Sequence, residues 1–190
     1  MKNIIYYTVL SFVLISCNNN LKQVNNTEES TEVEKVETSV DTKAIYNRNV
    51  ANFKAMFDAW SNQDVEAALN LMADDFMETG TGYGEPDRTK EEWKTQSEGM
   101  MSIMKPTLKQ AIYLPGIDTV SLEMDGSVRY YGTWNFAAGE KDVDLMVYGT
   151  ADFNDEGLLT SLAHYADFGV AMMQILPEEM MQQMMGGGEE

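Results

Sequence analysis

The stretch AWSNQDVEAALNLMADDF, residues 59–76, decides the fold of this chain. The polar residues 62–64 break the apolar pattern that precedes them, which predicts the end of a helix. Asp64 stands directly before VEAALNLM, where its carboxylate is placed to cap a second, short helix. Asp74 and Asp75 are predicted to end that helix, and the apolar residue after them begins an extended segment. The stretch therefore predicts a helix, a tight break, a short helix and a strand.

The segment before this stretch has the pattern of an amphipathic helix. Residues 44–61 carry Val50, Phe53, Phe57 and Trp60 at spacings of three and four, so a helix there has one apolar stripe. We expect this stripe to pack against the rest of the domain.

A glycine-rich loop and a third helix are predicted after it. The residues TGTGYGEPDRT, 79–89, predict a loop, and it is not a phosphate-binding loop because no Gly-Lys-Ser/Thr follows. Thr89 is placed to cap a helix over residues 90–104, which ends before Pro106.

The pattern changes to strands beyond that proline. Five strands are predicted, namely LKQAIYL (108–114), DTVSLEMDG (118–126), SVRYYGTWNF (127–136), DVDLMVYGTADF (142–153) and LLTSLAHYADF (158–168). A short helix over residues 169–176 closes the domain. Helices followed by antiparallel strands predict an α+β fold, in which the N-terminal helices pack on one face of a curved antiparallel sheet. Such a sheet can enclose a pocket between itself and the helices.

The N-terminal segment is typical of an exported lipoprotein. Lys2 is followed by IIYYTVLSFVLIS, residues 4–16, whose 13 residues carry no charge and are fewer than the ~20 that span a membrane. The letters LISC, which end at the only cysteine, Cys17, resemble the bacterial lipobox. We therefore expect residues 1–16 to be a signal peptide and Cys17 to be acylated, for example with palmitate. The alternative is an incidental or buried cysteine at the end of a short membrane anchor.

An acylated Cys17 would place the protein on a membrane of the cell envelope. Asn18 directly after it favours the outer membrane of a Gram-negative bacterium. Because the chain has no second cysteine, the domain must be stable without a disulfide.

Two flanking segments are predicted to lack a core of their own. Residues 17–43 hold six acids and three lysines but no aromatic residue, glycine or proline, which predicts a disordered acidic tether. A frayed helix between Glu28 and Val40 is the alternative. Residues 177–190 are predicted to be a flexible tail rich in Met and Gly. Residues 44–176 remain as one domain, long enough to bury a core.

Composition excludes several classes of function. The net charge of -18 would repel a nucleic acid, so we expect no nucleic-acid partner. One His and one Cys do not make a cluster with metal-ligand spacing, so no metal and no cofactor are expected.

Two stretches of the chain resemble the nuclear-transport-factor-2-like superfamily, nearest to its SnoaL-like branch. Residues 59–76 match that family's opening signature, and GLLTSLAHYADFGVAMMQIL, residues 157–176, is similar to its last strand and short closing helix. The resemblance implies a cone-shaped fold with a pocket for a small molecule. It also implies a range of activities, since the fold hosts isomerases, cyclases, dehydratases, hydrolases and non-enzymatic binders. Relatives of this fold often dimerise, so a homodimer is one expectation.

His164 and Asp167, in the closing stretch, are the candidate catalytic residues. A lone histidine near neutral pH suits a general base, but a partly buried strand residue bonded to a neighbour is the alternative. Asp167 would be the proton acceptor by analogy with family enzymes, but it also stands where it would cap the last helix.

Strand aromatics are the candidate ligand-binding residues. They are Tyr113, Tyr130, Trp134, Tyr148 and Tyr165. Alternation along a strand puts Tyr130 and Trp134 on one face and Tyr131 on the other, so only one set lines a pocket. Ordinary core packing is the alternative for all of them.

Three functions are consistent with the sequence. The first is a lipid-anchored envelope protein that binds a small, mainly apolar ligand. The second is an isomerase, cyclase or dehydratase that uses general acid–base catalysis. The third is a non-catalytic dimeric interaction module.

Overall fold

The structure is a computed structural model and describes residues 41–177. The predicted signal peptide at 1–16 and acylation at Cys17 lie outside the described residues, as do nearly all of the tether and the tail. The domain boundaries at 44 and 176 stay predictions.

Four helices are present in the described part of the chain, α1 (Thr42–Ser61), α2 (Val65–Leu69), α3 (Lys90–Ile103) and α4 (Phe168–Ile175). The predicted caps of the second and third helices are confirmed. Asp64 accepts a hydrogen bond from the backbone N–H of Ala67 at 3.0 Å. Thr89 and Glu92 form a reciprocal capping box at the start of α3.

Six strands form one mixed sheet. They are β1 (Met72–Thr79), β2 (Arg88–Thr89), β3 (Lys105–Ile117), β4 (Met124–Ala138), β5 (Lys141–Phe153) and β6 (Leu159–Tyr165). The order across the sheet is β2-β1-β6-β5-β4-β3. All neighbours are antiparallel except β1 and β6, which run parallel. The predicted α+β class with helices on a curved sheet is confirmed.

Two local predictions were wrong. Asp74 and Asp75 do not end a helix; they lie exposed within β1, because α2 stops at Leu69 and the chain extends from Met72. Residues 118–126 are not a separate strand.

A side chain explains the second error. Asp118 accepts hydrogen bonds from the backbone N–H groups of Val120 and Ser121, at 3.0 and 2.7 Å, which folds the segment into a turn. Leu122 adopts a positive φ of 61° there, and Val120 is 90% exposed. The turn between β3 and β4 therefore lies within residues 118–123.

The core lies between α1 and the inner face of the sheet. The predicted stripe of α1 buries Phe53 and Phe57, whose rings lie 4.3 Å apart. Nearer the start of α1, the buried Asn49 donates a hydrogen bond from Nδ2 to the carbonyl of Gly126 on β4 at 2.8 Å, which ties the helix to the sheet. These contacts set how far α1 lies from the sheet, and so leave room for a cavity further along.

Within residues 41–177, no helix has the length and apolar character needed to cross a bilayer.

Candidate functional site

A cavity of about 120 Å³ lies between the helices and the inner face of the sheet. Its apolar wall is formed by Met56, Phe57, Trp60, Trp93, Met100, Trp134, Phe136, Val147, Leu162 and Phe168. Its polar wall is formed by Glu78, Thr79, Thr81, Glu85, Arg88, Gln96, Ser97, Tyr130 and His164. All three tryptophans of the chain line this one space.

Four of these polar side chains, those of Arg88, Glu78, His164 and Tyr130, come from a row that crosses the sheet. This cross-strand row consists of Arg88, Glu78, His164, Gly149, Tyr130 and Tyr113, taken in order from β2 to β3. Arg88 pairs with Glu78 in register, as do His164 with Gly149 and Gly149 with Tyr130. Glu78 pairs with Leu162, and His164 is two residues further along β6, on the same face. Because paired residues share a face of the sheet, these side chains project together toward the helices.

Gly149 is what allows two rings of the row to meet. A Cβ at this position would lie 2.2 Å from Cε1 of Tyr130 and 3.0 Å from Cδ2 of His164. Without that atom, the Tyr130 and His164 rings approach edge to face, with centroids 5.6 Å apart. The glycine therefore positions both polar groups at the cavity.

The charged end of the row is a buried carboxylate clamped by an arginine. Glu78 accepts a hydrogen bond from Nε of Arg88 at 3.0 Å, and Arg88 also donates from Nη1 to Glu85 at 2.6 Å. Burial by itself would raise the pKa of Glu78, but the neighbouring His164 and Arg88 outweigh burial, and the pKa lies below its ordinary value. Glu78 is therefore a carboxylate at neutral pH.

His164 stands beside that carboxylate. Its Nδ1 lies 3.6 Å from Oε1 of Glu78, an ion-pair distance that is longer than a direct hydrogen bond. Phe57 stacks over the ring with centroids 6.2 Å apart. The backbone carbonyl of His164 accepts from the hydroxyl of Thr81, which ties the glycine-rich loop to β6.

Two of the residues that line the cavity each have a buried polar atom without a hydrogen-bond partner. Among residues 41–177, the buried side-chain atoms in this state are the Tyr130 hydroxyl and Nε2 of His164. Burial raises the pKa of Tyr130 far above its ordinary value, so its hydroxyl stays a neutral donor. A buried polar group without a hydrogen-bond partner costs about 1–3 kcal/mol of folding stability, so such groups are unusual in a protein core.

The structure separates the predicted aromatic residues into two groups. Tyr130 and Trp134 line the cavity, and Tyr113 packs behind Tyr130, with ring centroids 6.4 Å apart. Burial, with the charge of Asp58 added, raises the pKa of Tyr113 to about 12. Tyr148 and Tyr165 lie on the outer face of the sheet, where the Tyr148 ring stacks with that of Tyr165 and lies tilted against that of Tyr131.

The two predicted catalytic residues are not brought together. His164 lines the cavity, but Asp167 is exposed and its carboxylate caps α4 by accepting from the backbone N–H of Val170 at 3.3 Å. The acid beside His164 is Glu78, which the sequence reasoning missed together with Arg88. Glu78 directly precedes the glycine-rich loop and Arg88 lies near its end, and only the pairing of β1 with β2 and β6 brings them to His164. No cluster of three or more potential metal-ligating acids, His or Cys occurs in residues 41–177.

Comparison of the sequence with family profiles finds no matching family, and comparison with curated proteins finds no match. Solved structures do resemble the chain. A proposed polyketide cyclase from Xanthomonas campestris pv. campestris is 14% identical, with a TM-score of 0.57 over 70% of this chain and 99% of its own. The BvnE pinacolase from Penicillium brevicompactum is 12% identical, with a TM-score of 0.56 over 76% and 99%. An LEH-like epoxide hydrolase from M. tuberculosis is 17% identical, with a TM-score of 0.51 over 74% and 98%.

These likenesses establish the class of fold. The described residues adopt the nuclear-transport-factor-2-like fold that the two signature stretches predicted.

Proposed function

We propose that the domain binds a compact, mainly apolar molecule that carries one polar oxygen. The observation that supports this is the pair of unpartnered buried polar atoms, the Tyr130 hydroxyl and His164 Nε2, in two residues that line one cavity with an aromatic wall. A ligand oxygen placed between them would satisfy both, and the aromatic wall would hold the rest of the molecule.

The cavity also limits the size and charge of the ligand. Its volume of about 120 Å³ is close to the ~150 Å³ of an engineered apolar cavity that takes up benzene, so the ligand is about one ring in size. Arg88 is already held by two carboxylates, Glu78 and Glu85. An anionic ligand would lose its hydration without gaining a free positive counter-charge, so an anion is disfavoured.

Tryptophan fluorescence tests this proposal, because all three indoles line the cavity. Phenol and toluene, a pair of similar size that differ in one hydroxyl group, are titrated into the full chain in detergent. We expect phenol to bind about tenfold more tightly, since about 1.4 kcal/mol from satisfied polar atoms is a factor of ten. Tyr130→Phe removes one partner and should weaken phenol binding about tenfold, whereas Tyr131→Phe, on the outer face, should not. Equal binding of the two probes, or none, would refute the proposal.

The location is proposed from the sequence alone. Acylation of Cys17 would attach the protein to the cell envelope, with the outer membrane of a Gram-negative bacterium favoured by Asn18. The acidic tether at 17–43 would then hold the binding domain away from the membrane surface.

A second candidate function is acid–base catalysis of the isomerase, cyclase or dehydratase type. The observation that favours it is His164 beside the buried Glu78, with a neutral tyrosine hydroxyl at the same cavity. Cyclohexanone in deuterated water tests proton abstraction without knowledge of the substrate. A general base exchanges the hydrogens next to the carbonyl group for deuterium, so the protein should accelerate exchange and His164→Gln should abolish the acceleration. No acceleration would leave binding as the function.

A third candidate is a dimeric interaction module, favoured by the outer face of the sheet. Tyr131, Tyr148 and Tyr165 form an aromatic ladder there, and the neighbouring Met146 is 80% exposed. Uncharged apolar surface of this kind is typical of interaction sites. Sedimentation of the full chain in detergent tests it: Tyr131→Lys should convert a dimer to a monomer, and a monomeric wild type would reject the idea.

A further inference from the structure

Glu78 is the only buried acid among residues 41–177, and it lies in the cross-strand row between Arg88 and His164. Its side chain is 9% exposed, and a buried carboxylate is unfavourable unless charged or hydrogen-bonding groups compensate it. Two such groups flank it from opposite sides, Arg88 on β2 and His164 on β6.

The two carboxylate oxygens of Glu78 have separate neighbours. Oε2 accepts from Nε of Arg88, while Oε1 faces Nδ1 of His164. Glu85 holds the guanidinium from its other side, so Arg88 is not free to leave Glu78. The carboxylate is therefore fixed in one orientation, with one oxygen aimed at the imidazole.

That orientation places a carboxylate oxygen 3.6 Å from Nδ1 of His164 and so favours the proton on that nitrogen. A carboxylate oxygen is an acceptor only, so the nitrogen that faces it is favoured as N–H. Nε2 is then left with a free lone pair, and it is this atom that lies buried without a partner at the cavity. A neutral His164 therefore presents an acceptor to the ligand, next to the donor hydroxyl of Tyr130.

We propose that Glu78, held by Arg88, is a positioning residue that fixes His164 in the Nδ1–H form, so that the cavity selects compact ring molecules bearing a hydroxyl group over ethers and hydrocarbons of similar size. The ligand class rests on the proposed function; the proton position does not. Such a hydroxyl group donates to Nε2 of His164 and accepts from Tyr130, which an ether oxygen cannot do.

The alternative is that Glu78 serves only as the ion-pair partner of Arg88. The variant Glu78→Gln separates the two roles, because Arg88 has donors and no acceptor. The amide oxygen must therefore turn to Arg88, which points the amide NH₂ group at His164. Nδ1 then has to accept, and the proton moves to Nε2.

Nitrogen NMR of the full chain in detergent, labelled with ¹⁵N-histidine and carrying a tag free of histidine, reads this out directly. His164 is the only histidine in the chain, so its signals need no further assignment. At a pH where the ring is neutral, we expect Nδ1 protonated in the wild type and Nε2 protonated in Glu78→Gln. Asp75→Asn removes an exposed carboxylate from the same strand and should match the wild type.

The wild-type spectrum tests the proton position on His164 even if Glu78→Gln does not fold, because a predominant Nε2–H form in the wild type overturns the inference. An unchanged proton position in a folded Glu78→Gln overturns it as well.

Ligand preference provides the second readout. Phenol and anisole share the oxygen acceptor, but only phenol has the donor. The wild type should bind phenol about tenfold more tightly than anisole, and Glu78→Gln should bring the ratio close to one. If the proton lies on Nδ1 but phenol does not bind, the proposed function fails and the positioning role stands. If phenol binds but the ratio is the same in both proteins, the positioning role fails and the binding function stands.

Discussion

Glu78 titrates differently in the folded and the unfolded chain, and this has a consequence for stability. Burial raises its pKa, but His164 and Arg88 lower it by more, so the folded value lies below that of the unfolded chain. The folded state thus binds this proton more weakly. The stabilisation is present above the ordinary glutamate value and is lost as the pH falls through the folded value.

The first prediction therefore concerns acid unfolding of Glu78→Gln. Near neutral pH, we expect it to lose about 1–3 kcal/mol of stability, because a charge-assisted hydrogen bond to Arg88 is weakened. As the pH is lowered, the free energy of unfolding of Glu78→Gln should fall by less than that of the wild type. The reason is that the variant has no carboxylate at this site to take up a proton. Urea denaturation at a series of pH values measures both effects. If the free energy of unfolding falls equally in the two proteins as the pH is lowered, Glu78 does not have a lowered pKa in the folded state.

The residues of the site were only partly predictable from the sequence. His164, Tyr130 and Trp134 were found because strand alternation and the rarity of histidine mark them locally. Glu78 and Arg88 were missed, because the register between β1, β2 and β6 is set by contacts distant in sequence. No local signal distinguishes a buried acid in DDFMET from its exposed neighbours.

The start of α4 supports a second prediction, which separates capping from catalysis. Asp167→Ala should cost about 1 kcal/mol, because the helix loses its N-cap, whereas Asp167→Asn should be nearly neutral because asparagine caps as well. Both variants should bind phenol as the wild type does, since Asp167 is exposed and does not line the cavity. Denaturant unfolding and the fluorescence titration test this, and weaker phenol binding by Asp167→Asn would restore a role for Asp167 in the site.

Strand β5 supports the third prediction. The methyl group of Gly149→Ala would overlap the Tyr130 ring, so we expect a loss of about 1–3 kcal/mol and weaker phenol binding as Tyr130 moves. Gly99→Ala is the matched control, because it adds the same methyl group to α3 where nothing lies within 4 Å. It should stabilise the protein by about 0.5–1 kcal/mol. Equal effects of the two substitutions on phenol binding would argue against this role for Gly149.

Elements with strong local signals were predicted well. Caps and the 3.6-residue period located the helices, since those interactions span only a few residues. The segment at 118–126 was assigned as a strand because its apolar residues alternate, but the side chain of Asp118 bonds the backbone and makes a turn. Such competition between a side chain and the sheet is not visible in an apolar pattern.

The anchoring of the protein gives the fourth prediction. If Cys17 is acylated, Cys17→Ser should abolish incorporation of labelled palmitate, because the variant has no cysteine left to acylate. The net charge of -18 opposes direct adsorption of the domain to anionic lipid. Labelling of the wild type and the variant in a bacterial host, followed by fractionation, checks this. Equal labelling of the two would contradict acylation at Cys17.

The proposed binding site for one compact molecule is the space between α1, α3 and the sheet. A crystal structure of the protein grown with phenol tests it most directly. The account predicts phenol in the cavity, with its oxygen within hydrogen-bonding distance, about 2.6–3.2 Å, of both the Tyr130 hydroxyl and Nε2 of His164. An empty cavity, or phenol bound instead on the outer tyrosine ladder, would contradict it.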